Sequence, residues 1–452
     1  MKEKQDLTQG PIAGNLFRFS LPLILTNLLQ AVYNVADMAI AGQFVGPTGI
    51  AAINTSGQIT NIILMIVIGF SNGVGIVTGQ LIGSGKAREI KYVLGSMMTF
   101  FAILAIAISL LTGCLSDSIL HILNIPAEAF TDARNYLVVC LVGTVFIYLY
   151  NTMAAVLRST GDSVHPLMFM TLSTVLNIAL DFLFMGILPL GTAGAALATI
   201  TAQAFSMTLT LFYFLKKTTY LTFKKETFKI HRNHLKMVIK VGLPQACQFS
   251  ATQFSLLIIA GMVNQYGVIA AAAVGASNKA GTFAQLPGQA LNAGVLTTTA
   301  QNLPQKNYRR IIKSMFYAMA LAIAISVVFL LLAIAVPDVI LGIFTDDAHV
   351  VRTGSHYLLF ISIGFVIENL IFTTTGVISG AGYTTITMAA SLMAAAGRVV
   401  FAWILQTVTD LNVYSIGVAG ILSPIIPVVI MIFSLASGFW KTSRIQNELK
   451  KI

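Results

Sequence analysis

The chain has 452 residues, of which 56% are hydrophobic and only 10% charged, whereas a soluble globular protein carries roughly a quarter charged residues. Its formal net charge is +11, and its three cysteines, Cys114, Cys140 and Cys247, lie far apart without metal-ligand or disulfide spacing. A water-soluble domain and a cysteine-stapled fold are thereby excluded, and the apolar length points to an integral membrane protein.

In chain order, the polar MKEKQDLTQG precedes an apolar segment too long for the core of a cleavable signal, so the first helix is expected to stay as an uncleaved anchor. Twelve apolar segments follow, at about 16–40, 51–79, 93–114, 134–157, 165–186, 192–214, 238–262, 272–298, 314–336, 355–378, 384–408 and 415–438. Each meets the ~20 residues a helix needs to cross hydrocarbon. The second and eighth are long enough to be tilted or broken at their glycines.

Lys and Arg concentrate in the N-terminal segment, the C-terminal tail and the even-numbered loops, while the odd-numbered loops carry only Arg134 and Arg352. The positive-inside rule then places both termini in the cytoplasm of a multi-pass cell-membrane protein. The net charge is a topology signal and an attraction to anionic membrane lipid. No nucleic acid is expected as a partner, because the basic stretch from Lys216 to Lys240 reads as a cytoplasmic linker rather than a patch interleaved with aromatics. No nucleotide is expected either. GSGK at Gly83–Lys86 lacks the four-residue spacing between glycines, and Ala87 follows the lysine where a phosphate loop has Ser or Thr.

Sliding the chain by 221 residues lays Asp117 of LSDSIL on Asp338 of VPDVIL, Tyr136 on Tyr357, Gln80 on Gln301 and Arg88 on Arg309. The same shift lays AVLRSTGDS (155–163) on GVISGAGYT (376–384). One offset serving both halves predicts an all-α membrane protein of twelve transmembrane helices in two six-helix pseudo-symmetric bundles. The division is an N-terminal lobe at 1–215, a cytoplasmic linker at 216–236, and a C-terminal lobe with a cytoplasmic tail at 237–452. Parallel repeats of this kind can enclose a cavity for alternating access.

The acidic residues within spans are Asp37, Asp181 and Glu368. A charge at the bilayer centre costs about 2.5–3.5 kcal/mol on insertion scales, and such residues face a bundle interior or water and mark ion pathways. Asp181 follows Asn177 by four residues, which stacks them on one helix face. The offset of 221 maps Asp37 to Ile258, Asn177 to Arg398 and Asp181 to Ala402. A carboxylate needed only to fold a six-helix lobe would occur twice, so the first lobe carries something extra.

TQGPIAGNLFRFSLPLILTNLLQAVYNVADMAIAGQFVG, LRSTGDSVHP, NIALDFLF and GTAGAALAT together resemble the multidrug and toxic compound extrusion transporters. The resemblance covers essentially the whole chain and is closer to the members with an aspartate, asparagine and aspartate cation site in the N-terminal lobe. It implies a Na+ or H+ site at Asp37, Asn177, Asp181 and Thr199. A hard cation wants the oxygen ligands these four supply. The same two carboxylates could instead share a proton, since two such charges held close together resist joint ionisation. The resemblance also implies a helix-bending role for Pro22, against which stands a proline tolerated near the interface. One branch of the family has an acidic residue on the seventh helix. Here that helix reads LPQACQFSATQFSLLIIAG, without one.

Glu368 could bind a cationic substrate in a central cavity or pair with Arg398 on the next helix, the commoner solution for an internal charge. Lys279 on the eighth helix reads as a solvated vestibule residue, with a gate or a counter-charge to Glu368 as alternatives. The predicted function is a secondary antiporter that exports small organic cations or amphipathic compounds in exchange for Na+ or H+, with no other cofactor. The alternative is a flippase of a lipid-linked substrate, which would need basic residues in the cavity, and only Lys279 and Arg398 qualify. No histidine cluster or nucleophile with its base points to an enzyme.

Overall fold

The computed structural model describes residues 6–122, 125–217, 226–445, 448 and 450. Residues 218–225 of the expected linker and the extreme termini lie outside the described residues. The described residues form twelve long helices: α1 (Ile12–Phe44), α2 (Gly46–Gly83), α3 (Ile90–Cys114), α4 (Ala127–Ser159), α5 (Val164–Asp181), α6 (Gly191–Lys217), α7 (Arg232–Asn264), α8 (Val268–Asn302), α9 (Tyr308–Ala335), α10 (Ala348–Gly380), α11 (Thr384–Val408) and α12 (Tyr414–Ala436). Short helices at Ser116–Ile122 and Pro337–Gly342 occupy the same place in the two halves, 221 residues apart. Among the described residues there is no strand.

Eleven of these helices are long and apolar enough to cross a membrane. The exception is α8, which is 35 residues long but carries Asn278, Lys279, Gln285, Gln289 and Asn292. Its alanines and glycines are mostly buried against protein, so it does not need an apolar surface for lipid. Of the two alternatives for the long second and eighth segments, a break at glycines is not found: α2 and α8 run unbroken for 38 and 35 residues. The interruption falls instead in α12, between Leu422 and Ile425, where Pro424 cannot donate a backbone hydrogen bond.

Packing divides the described chain differently from its repeat. Leu25–Ala246 forms one compact unit and Asp6–Ile24 with Cys247–Asn447 the other. The opening turns of α1 therefore belong with the second half of the chain, and those of α7 with the first.

Small residues explain both assignments. In the first unit Gly69 and Gly73 of α2 face Gly242 and Ala246 of α7. A Cβ added at Gly73 would lie 2.6 Å from Gly242 Cα, and one at Gly69 would lie 2.3 Å from Ala246 Cα. These are paired small-xxx-small stripes, which allow helix backbones to meet where lipid supplies no hydrophobic drive. In the second unit a Cβ at Gly294 of α8 would lie 2.6 Å from Ser20 Oγ of α1.

The segments leading into the two helices are tied down at matching repeat positions. Arg310 donates to the carbonyl oxygens of Leu7 (2.7 Å), Gln9 (2.6 Å) and Gly10 (2.8 Å). In the first unit Thr99 donates to the Phe228 carbonyl at 2.7 Å, and His231 N–H donates to Ser96 Oγ at 2.9 Å. Lys240 of α7 holds Glu448 of the tail at 2.8 Å, and that hydrogen bond keeps the Glu448 carboxyl below its ordinary range. Each exchanged helix has a proline two residues before it passes from one unit to the other, Pro22 before Ile24 and Pro244 before Ala246.

Gly73→Ala is expected to lower stability by about 1–3 kcal/mol, the usual cost of overpacking, because the clash is with backbone that cannot rotate away. Thermal melting of the purified protein checks this. Gly113→Ala on α3 is the control, since a Cβ there meets nothing within 4 Å.

Candidate functional site

All four residues of the implied site lie in the first unit and converge there. Asp37 projects from the second half of α1, Asn177 and Asp181 from the last turns of α5, and Thr199 from α6. Asp181 is the last α-helical residue of α5, after which the backbone widens into a π turn at Phe182–Ile187. Such turns are rare and recur at functional sites. Here the turn packs against the end of α1 through Phe182 and Phe44, whose rings meet edge to face at 6.0 Å.

Asn177 and Asp181 are 1% and 0% exposed. With its side-chain amide oriented to suit these neighbours, Asn177 donates to Asp181 Oδ2 at 3.0 Å and accepts from the Thr199 backbone N–H at 3.2 Å. Thr199 Oγ1 shares a 3.2 Å hydrogen bond with Tyr33 Oη, one turn before Asp37. The Asp37 and Asp181 carboxyls pair with one another. After these contacts, one buried oxygen on each, Asp37 Oδ1 and Asp181 Oδ1, is left without a partner.

A buried carboxylate oxygen without a donor is costly, and more so when the group is charged. Two of them side by side call for a positive species, either a proton or a cation with affinity for oxygen. Beside the cluster is a small cavity lined by Tyr33, Ser173, Thr174, Asn177, Thr199 and Gln203, with about 10 Å³ open to the centre of a water-sized sphere. That is room for about one water molecule.

The structure adds Tyr33, Tyr136 and Cys140 to the residues singled out in the sequence. Tyr136 and Cys140, 8% and 3% exposed, stand one turn apart on α4 within electrostatic reach of Asp37. With Ile40, Ala41, Met185 and Ala195 they form part of the apolar wall on that side. The only signal for Tyr136 in the sequence is its recurrence as Tyr357. Cys140 has none.

The second unit holds the remaining candidates. Arg398 Nη2 lies 3.2 Å from Glu368 Oε1, and Gln285 Nε2 donates to Glu368 Oε2 at 3.1 Å. Lys279 is exposed on α8 and, among the described residues, is not in that pair. Pro22 lies inside α1, fifteen residues before Asp37.

Replacing Asn177 by Ala leaves Asp181 Oδ2 short of a buried donor. The expected loss of stability is about 1–3 kcal/mol, read as a lower melting temperature.

Comparison with known proteins places this geometry in context. The MatE family model matches residues 22–183 and 244–404, one match in each half. The chain is 27% identical to the probable multidrug resistance protein YpnP of Bacillus subtilis over 381 residues, covering 83% of this chain and 84% of the relative. It is 25% identical to the multidrug export protein MepA of Staphylococcus aureus over 389 residues, covering 84% and 85%. Among solved structures, a MATE protein crystallised in complex with MaL6 superposes with a TM-score of 0.89 over 100% of both chains at 20% identity. A multidrug resistance MATE family transporter in an outward-facing conformation superposes at 0.88, covering 100% of this chain and 99% of that one at 21% identity. These likenesses establish a shared twelve-helix fold.

Proposed function

The chain belongs to the MatE family of membrane transporters, and from the acidic cluster of its first unit we propose that it is a secondary antiporter exporting organic cations or amphipathic drugs in exchange for Na+ or H+. It is a multi-pass membrane protein and a transporter rather than an enzyme. The relatives named for multidrug resistance and export support the substrate class. The cell membrane, with both termini cytoplasmic, is the location that fits the distribution of Lys and Arg.

One observation carries the reading. The buried Asp181 carboxyl meets that of the half-buried Asp37, and each keeps one unpartnered buried oxygen. In this reading Asp37 and Asp181 take the coupling ion, Asn177 orients Asp181, and Thr199 completes the polar wall. A proton shared by the two carboxyls lets them pair while removing one of the two buried charges. Na+ would draw the Asn177 carbonyl oxygen away from the Thr199 N–H, which it now accepts from at 3.2 Å. Ion binding drives transport only to the extent that the ion prefers one conformation over the other. Pro22 supplies the place where α1 can bend as occupancy changes, because it leaves the Arg18 carbonyl without its helical donor. Nothing favours the flippase reading, since Arg398, one of its two basic residues, is engaged with Glu368.

Asp181→Asn keeps the shape of the side chain and removes its charge. The variant is expected to fold as the wild type does and to drop uphill efflux to the passive-leak level. Efflux of a fluorescent organic cation from cells at matched expression measures this. Unchanged efflux in Asp181→Asn would remove the acidic cluster from the mechanism.

A further inference from the structure

The turn between α4 and α5 is built twice in the chain, with the same backbone and different side chains. Asp162 N–H donates to the Leu157 carbonyl oxygen at 3.0 Å and Gly161 N–H to that of Arg158 at 3.0 Å, with Gly161 at φ 86°. At the offset of 221, Tyr383 N–H donates to the Ile378 carbonyl oxygen at 3.1 Å and Gly382 N–H to that of Ser379 at 2.8 Å, with Gly382 at φ 91°. In the first half this turn carries a polar cluster. Asp162 Oδ2 lies 2.8 Å from His165 Nδ1 and accepts from Tyr213 Oη of α6 at 3.2 Å, and the His165 ring lies over that of Tyr213 at 4.1 Å. The counterparts of Asp162, His165 and Tyr213 are Tyr383, Ile386 and Ser434. Folding the turn therefore does not require an aspartate paired with a histidine.

A polar seam runs from that cluster to the acidic site. His165, Phe169, Ser173, Asn177 and Asp181 recur every four residues and share one face of α5. From α6 come Gln203, Ser206 and Thr210. Ser173 Oγ donates to the Ala202 carbonyl oxygen at 2.7 Å, and Ser206 Oγ to that of Phe169 at 3.3 Å. Ser173, Ser206 and Thr210 are buried, and the one-water cavity beside Asn177 is lined by Ser173 and Gln203. The second half has Ala394, Pro424, Pro427 and Met431 at the positions of Ser173, Gln203, Ser206 and Thr210. Helix packing alone gives no reason for a seam that is polar in one half and apolar in the other. The polar one belongs to the half that carries Asp37 and Asp181.

We propose that His165, held by Asp162, is the proton acceptor at the cytoplasmic end of the α5–α6 seam, through which a proton released by the acidic cluster reaches the cytoplasm. This rests on the proposed antiport and names H+ as its ion. His165 and Asp181 are sixteen residues apart, about 24 Å along the helix, so the proton moves in steps over water and over hydroxyls that both donate and accept. Chains of Asp, Glu and His mark such relays inside membranes. The proton leaves a carboxyl of the cluster as a carboxylate and ends on the His165 imidazole, whose imidazolium the Asp162 carboxylate stabilises. Passing the proton to bulk water restores the neutral ring. The Asp162 and His165 side chains are 0% and 12% exposed, so the ring is the member of the pair that water reaches. Tyr150 and Arg158 of α4 stand at the same end, Tyr150 Oη donating to the Pro166 carbonyl oxygen at 3.3 Å with Arg158 within its electrostatic reach. Lys216 and Lys217 close α6 there.

The test uses everted vesicles, whose medium bathes the cytoplasmic face, with an imposed inside-acid pH gradient and a fluorescent organic cation. His165→Ile installs the residue that the second half uses in the same turn. At low buffer it is expected to cut the initial rate of uptake about 10-fold or more, a modest share of what a positioned acid or base contributes, with the KM for the cation unchanged. Raising membrane-impermeant Hepes in the medium, at fixed pH and ionic strength, is expected to restore that rate, because the buffer takes the proton that the missing ring would have taken. Wild-type uptake is expected not to respond to Hepes. A wild-type rate in His165→Ile, or a slowed rate that Hepes does not restore, overturns the inference. Uptake that follows a Na+ gradient and ignores the pH gradient also overturns it, while leaving ion-coupled antiport in place.

Should His165→Ile fail to fold, His165→Gln carries the same measurement, since its amide still donates a hydrogen bond to Asp162 but takes up no proton. Asp181→Asn separates this inference from the reading it rests on, and it is expected to abolish uptake at every Hepes concentration. Wild-type uptake in Asp181→Asn removes the acidic cluster and the seam together. Loss of uptake in Asp181→Asn beside a wild-type rate in His165→Gln removes the seam alone.

Discussion

Hydrocarbon offers no water to an ionised side chain, so each carboxylate within a membrane bundle needs a counter-charge, a proton or a donor from the protein itself. This chain meets the requirement in two ways. Glu368 has both oxygens engaged, one by a guanidinium and one by an amide. Asp37 and Asp181 are set against one another with one oxygen of each left open. The first arrangement is closed within the protein. The second is left open, as the proposed ion-driven cycle needs.

The scaffold that holds these clusters rests on close helix approach rather than on apolar burial alone. Gly69 and Gly73 against Gly242 and Ala246, and Gly294 against Ser20, bring helix axes together where a larger residue would meet backbone or a packed side chain. The same contacts assign the first turns of α1 and α7 to the unit built from the other half of the sequence. Pro22 and Pro244 stand beside the points where α1 and α7 pass from one unit to the other, and Asp37 lies on the later part of α1, beyond Pro22.

Much of the fold was legible because hydropathy and the 221-residue offset are properties of the chain alone. All twelve spans follow from apolar length, and the 221-residue offset agrees with that count, although Asn and Gln make α8 the least apolar of them. The long second and eighth segments stay unbroken at their glycines, because Gly in a packed membrane helix permits close contact without ending the helix, whereas α12 is interrupted at Pro424, which removes a donor. Asp37, Asn177 and Asp181 could be singled out because polar residues in hydrocarbon are expensive. Thr199 came only through resemblance, since a threonine in a membrane helix is unremarkable in cost. The roles of Tyr136, marked only by its recurrence as Tyr357, and of Cys140 could not be read, because residues that wall a site look like any other buried side chains until the helices are assembled. The exchange of α1 and α7 was equally hidden: the small-residue stripes stand in the sequence, but nothing local says which face meets which.

The measurement that tests the central claim most directly is transport in everted membrane vesicles under an imposed Na+ gradient or an imposed pH gradient, following uptake of a fluorescent organic cation. The account predicts accumulation that depends on one of the two gradients and collapses when that gradient is dissipated. Accumulation that persists with both gradients abolished would contradict ion-coupled antiport by this protein.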